Sequence, residues 1–137
     1  MTHLILVLTL AFDLTTVQTE PNLEKRSERA LDNANVALNA ARDDYNSGNY
    51  DRSQNELQEV RDSVELAYQS LSDTGKDPRK SPKFFKQAEL RTRELLRRIE
   101  GLAQGMSQVD RGALEKVRDR ISEVHDNLLK GIMSKRK

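Results

Sequence analysis

From Pro21 to Met133, apolar residues return every three or four positions. The first run is Leu23, Ala30, Leu31, Ala34, Ala37, Leu38, Ala41 and Tyr45. The second is Tyr50, Leu57, Val60, Val64, Ala67 and Leu71, with Ser53 in the one gap. The third is Phe85, Ala88, Leu95, Ile99, Leu102 and Met106, with Thr92 filling its gap, and the fourth is Leu114, Val117, Ile121, Val124, Leu128 and Ile132. A stripe of this period held for about five to six turns is a helix packing on other helices, because a strand would alternate every second residue.

The punctuation between the runs agrees. Gly48 stands where the first helix should end, and Asn49 is placed to accept N–H groups of the next. Gly75 ends the second run, and residues 74–81 form a linker. Ser81-Pro82 reads as an N-cap followed by proline at the first helical position, where the missing N–H costs nothing. Gly105 closes the third run, and Ser107 with Asp110 has capping-box spacing. The pattern predicts helices near 21–47, 49–73, 82–104 and 108–133, each roughly 35–40 Å long at ~1.5 Å per residue. Short connections make each pair an antiparallel hairpin, 21–73 and 82–133. The expected fold is all-α: an up-down-up-down four-helix bundle over 20–134, with an open stack of two hairpins as the alternative. The alanines of the first helix predict a close approach by its partner.

Leu4–Phe12 is a different kind of segment, apolar at every position but Thr9. It is too short to span a membrane and matches the apolar region of a secretory signal, with small residues at Thr15, Thr16 and Thr19 for cleavage. Met1-Thr2-His3 lacks Lys and Arg, and no A-x-A pattern follows. Residues 1–19 are read as a signal peptide of an exported, periplasmic or secreted protein. The alternative is a buried strand or helix start in a cytoplasmic one.

Composition sharpens this picture. Ala, Leu, Glu, Lys and Arg make up 62 of the 137 residues, with 4% aromatic residues and no Cys. That is the composition of long helices rather than of a thick core with a large pocket. It also excludes disulfides, thiolate metal sites and a catalytic thiol.

Tyr45-x-x-Gly48-Asn49-Tyr50 with Ser53 resembles the central turn of a tetratricopeptide repeat over about 25 residues, although these helices are about twice the length of repeat helices and Ser53 replaces the usual alanine. The resemblance implies a helix–turn–helix and a protein-binding role. Residues 74–83 and 125–133 resemble segments of small, uncharacterised, exported bacterial helical proteins. That likeness implies export and carries no activity to transfer.

The net charge of +1 conceals a division. Residues 20–75 hold 6 basic and 12 acidic groups, and residues 76–137 hold 17 basic and 9 acidic. The excess is densest from Lys76 to Arg98. Lys83, Lys86, Arg93 and Arg97 fall within roughly 80° on the helical wheel, opposite the core stripe and around Leu90. Glu89–Arg93 and Glu94–Arg98 have i,i+4 spacing. Lys76, Arg79, Lys80, Lys83, Lys86, Arg93 and Arg97 are therefore the candidate surface for an anion or partner, and Lys135-Arg136-Lys137 is a basic tail. One reading is complementarity between an acidic and a basic hairpin. The other is binding of an anionic polymer, lipid surface or acidic protein. An exported chain rarely meets nucleic acid.

Little points to catalysis. His125 is the only His after the signal segment; it lacks a nucleophile nearby in sequence and reads as capping the core edge. Thr74-Gly75-Lys76 lacks the upstream glycine of a phosphate loop. Asp43, Asp44 and Asp51 gather at the first turn and read as solvated carboxylates or a weak cation site. Tyr45, Tyr50 and Tyr68 read as packing residues with hydroxyls at the rim. The expectation is a non-catalytic interaction or scaffold protein without a metal or cofactor, working through a protein partner or self-association.

Overall fold

A computed structural model describes residues 14–134. The Leu4–Phe12 run and the Lys135–Lys137 tail lie outside them. The described residues form five helices and no strand: α1 (Leu14–Gln18), α2 (Leu23–Asn46), α3 (Tyr50–Asp73), α4 (Lys83–Gln104) and α5 (Gln108–Met133). The four long helices start and end within two residues of the ranges the periodicity predicts. The short α1, inside the segment read as a signal peptide, was not predicted as a helix, and its Val17 packs against the edge of the core.

Each apolar stripe is buried in one continuous core running from Ala30 and Leu31 through Leu57, Val64, Leu95 and Ile99 to Ile121 and Leu128. Helices α2 and α3 pair intimately, as do α4 and α5. The hairpins meet through α3 against α5 and α2 against α4. Both cross-hairpin pairs run parallel. Arg91 of α4 reaches Asp32 of α2, and Arg98 one stretch further on reaches Asn35. Leu57 and Ala113 share one groove, and Tyr68 and Leu128 share another. Direction therefore alternates along the chain, as expected, with the two hairpins lying side by side.

Small residues make the α2–α3 contact close. Ala30, Ala34, Ala37 and Ala41 have no exposed surface. With no bulk between the helices, the Ser53 hydroxyl donates to the Ala41 carbonyl at 2.7 Å. Asn33 sets the register from the other side, its amide donating to Ser63 Oγ at 2.8 Å and to Glu59 at 2.9 Å. The hairpin turn needs Gly48, whose φ of +84° is open to a residue without Cβ, and Gly75 after α3 has φ +70° for the same reason.

Caps differ in part from the sequence expectation. Asn22 caps α2, its side chain accepting from Lys25 N at 2.9 Å. Asn49 does not cap α3; its amide turns back to Asp44 at 3.4 Å. Nor does Ser81 cap α4. Pro82 takes that place, in helical conformation and without any side-chain acceptor. Ser107 does cap α5, accepting from Asp110 N at 3.2 Å and donating to Asp110 Oδ2 at 2.8 Å. Tyr45 completes this box from the other hairpin. Its hydroxyl accepts from Ser107 N at 3.2 Å and donates to Asp110 at 2.9 Å. Tyr45 and the half-buried Tyr68 thus fit their reading as packing residues, but Tyr50 does not: it is 51% exposed and leans on Tyr45 with ring centres 5.0 Å apart.

Candidate functional site

The wheel angles of α4 divide its surface into three strips. One is the core strip of Phe85, Ala88, Thr92, Leu95 and Ile99. A second edge turns to α2 and carries Gln87, Arg91 and Arg98. The third carries Lys83, Lys86, Leu90, Arg93 and Arg97, all exposed, with Leu90 at 55%. The first hairpin does not cover that strip.

The edge strip explains part of the charge division. Arg91 pairs with Asp32 at 2.6 Å, Lys76 with Glu24 at 3.0 Å, and Arg120 of α5 with Glu65 of α3. Three bridges thus join the basic hairpin to the acidic one. They are partly or largely exposed and contribute on the order of 0–1 kcal/mol each, so they orient the hairpins more than they hold them. The predicted Glu94–Arg98 pair is not formed. Glu94 binds Arg97 instead, and Arg98 turns to the Asn35 and Asn39 carboxamides of α2. A long side chain at the edge of two faces goes where an acceptor waits on the neighbouring helix, and spacing within α4 does not contain that information.

The seven candidate residues fall into two groups. Lys76 is held by Glu24, Arg79 by Asp77 at 3.1 Å, Arg93 by Glu89 and Arg97 by Glu94. Arg79 holds the Asp77 carboxyl below its usual value through both its side chain and its backbone N–H. Lys80, Lys83 and Lys86 make no ion pair among the described residues, and Lys83 lies 5.2 Å from the centre of the Phe84 ring. These three lysines surround the first turns of α4. That turn carries no acidic residue and no side-chain cap. The positive end of the helix dipole and the uncompensated lysines therefore add rather than cancel.

A second polar cluster escaped the sequence. Glu89 is buried between α4 and α5. Arg93 grips it with a two-pronged contact at 2.7 and 2.8 Å, and His125 Nε2–H donates to it at 2.7 Å. His125 Nδ1 lies 3.5 Å from Asp126. Burial pushes the Glu89 carboxyl up, but the Arg93 and His125 contacts outweigh it and hold the group below its ordinary value. Among the described residues no hydroxyl hydrogen-bonds to His125. The ring therefore ties α5 to α4 at the core edge. The i,i+4 spacing revealed the Glu89–Arg93 pair, but His125 lies 36 residues from Glu89 and only the hairpin brings them together.

At the first turn, Asp44 draws Arg52 to 3.8 Å, while Asp43 binds Arg42 at 3.3 Å. Asp51, grouped with these two from the sequence, is exposed. The residue that joins Asp44 is Glu56, 5% exposed, with one carboxyl oxygen lacking any hydrogen-bond partner. Burial first, and then the hydrogen bond and charge of Asp44, push the Glu56 carboxyl up to about 8. Among the described residues no cluster of three His, Asp or Glu side chains could hold a metal, and no helix is long and apolar enough to cross a membrane.

No family model, curated protein or solved structure matches the chain.

Proposed function

We propose that this chain is a non-catalytic, exported helical interaction protein whose contact surface, centred on Lys80, Lys83 and Lys86, binds an anionic polymer or lipid surface. The observation that carries the reading is the uncompensated positive charge at the start of α4. Three exposed lysines sit beside an uncapped helix N-terminus, while the four other candidate cations are each matched to a carboxylate. Placing like charges at the positive end of a helix costs stability, about 0.3–1 kcal/mol for each residue near the first turn. An anionic partner converts that cost into binding free energy. The exposed Leu90 extends the surface with an apolar contact one turn further on.

The test is retention on heparin and on vesicles containing an anionic lipid, at low and at high salt. The protein is expected to bind both at low salt and to release as salt rises. Combining Lys80→Glu, Lys83→Glu and Lys86→Glu should weaken retention at least tenfold without unfolding the bundle, since none of the three contributes to the core. Equal retention of this variant and the parent, or no retention at low salt, overturns the reading.

Export rests on the Leu4–Phe12 run. In a secreting cell, the mass of the protein recovered outside the cytoplasm is expected to correspond to a chain starting between Thr16 and Glu20. Recovery of the chain with residues 1–15 intact and only in the cytoplasm removes this part of the proposal.

A further inference from the structure

A groove of about 310 Å³ opens between the C-terminal halves of α2 and α4. Its walls include Leu38 and Leu102, Gly101, Tyr45, and two arginines, Arg42 and Arg98. Four observations about the arginines need a common cause. Arg98 is half-buried, yet makes no ion pair among the described residues. It is held instead by two neutral acceptors, donating to Asn35 Oδ1 at 2.7 Å and also to Asn39 Oδ1. Carboxamides orient a guanidinium without neutralising it. Burial, followed by the field of Arg42, pushes Arg98 below its usual value, so a half-buried cation and an exposed one face the same groove. Among the described residues, Arg42 has only the adjacent, largely exposed Asp43 as its partner.

A half-buried guanidinium fixed in place by neutral groups, with a second, exposed one at the rim of the same groove, forms a receptor for an anion, and the apolar walls beside them favour an anion with an apolar body. We propose that the groove binds a small carboxylate with a short aliphatic tail, Arg98 and Arg42 gripping the carboxylate and Leu38 and Leu102 covering the tail. The volume lies at the lower end of small-ligand sites. The site is separate from the lysine surface at the opposite end of α4 and does not depend on it.

Octanoate is the probe. Nuclear magnetic resonance of the labelled protein should show shifts concentrated on the Gly101 amide and the Leu38 and Leu102 methyl groups, giving a dissociation constant. Acetate offers the charge without the tail and octanamide the tail without the charge; each should bind at least tenfold more weakly. Arg98→Gln should weaken octanoate at least tenfold. Gly101→Leu should abolish binding by filling the groove, and it is the variant safest for folding. A Cβ at Gly101 meets no heavy atom within 4 Å, and leucine is a better helix former than glycine. The triple lysine variant should bind octanoate as the parent does, so failure of the lysine surface and failure of the groove are told apart. No shift with octanoate, octanamide binding as tightly, or undiminished binding by Gly101→Leu overturns the proposal.

Discussion

Glu56→Gln is expected to stabilise the protein at pH 8.5 and to remove most of the pH dependence of its unfolding between about pH 5 and 8. Glu56 is buried beside Asp44 with one oxygen unpartnered, and burial and the Asp44 carboxylate push its carboxyl up from the ordinary 4.5 to about 8 in the folded chain. Between these two values the folded protein keeps a proton that the unfolded chain has lost. Unfolding then releases a proton, so stability falls as pH rises from 4.5 through 8 and levels off above. The full displacement would correspond to several kcal/mol at ~1.4 kcal/mol per pH unit. Partial solvent access near the hairpin turn reduces this to about 2–3 kcal/mol. Glutamine has the same shape and can donate its amide hydrogen to Asp44, and it cannot ionise. Urea denaturation at pH 5.5 and 8.5 measures the difference. The parent should lose stability across that interval and the Gln variant should be nearly flat. Asp44→Asn removes the neighbouring charge and should move the parent's transition to lower pH. Equal pH dependence in parent and Glu56→Gln would show that Glu56 is ionised throughout.

Ala34→Leu should destabilise the fold by about 3 kcal/mol, the upper part of the range for overpacking a filled core. Ala34 has no exposed surface and lies in the row of alanines that brings α3 close enough for Ser53 to reach a backbone carbonyl of α2. Three extra carbons there must push α3 outward. The displacement would lengthen both the Ser53–Ala41 and the Asn33–Ser63 hydrogen bonds, so a polar loss accompanies the steric one. Thermal unfolding followed by circular dichroism should show a midpoint lower by on the order of 10 °C. Val36→Leu, on the exposed side of the same helix, should change it by less than about 0.5 kcal/mol. Similar effects from both substitutions would mean that α2 and α3 are loosely packed.

The helices were legible from sequence because the apolar period of a helix is a local property. Leu114, Val117, Ile121, Val124 and Leu128 declare their shared face whatever they pack against, and all five are buried. The Ser107 cap, the glycine turns and the outward strip of α4 were readable for the same reason. Each depends on residues within four positions, where backbone geometry alone places the side chains.

What only the tertiary structure decided was the destination of long polar side chains and of residues at the ends of the stripes. Tyr50 has the spacing of a core residue but falls where α3 emerges from the hairpin turn, and among the described residues no helix beyond it covers the ring. Arg98 could reach Glu94 on its own helix or Asn35 and Asn39 on the next. Parallel alignment of α2 and α4 puts the carboxamides in reach and leaves the charge without an ion-pair partner among the described residues. Glu89 and His125 meet because the second hairpin folds back, and Glu56 and Asp44 because the first one does. The stripe states that a helix has a buried face. The register between helices, set by alanine rows, Asn33 and the Tyr45–Ser107 contact, determines which charges share a space, and it is there that this protein keeps its chemistry.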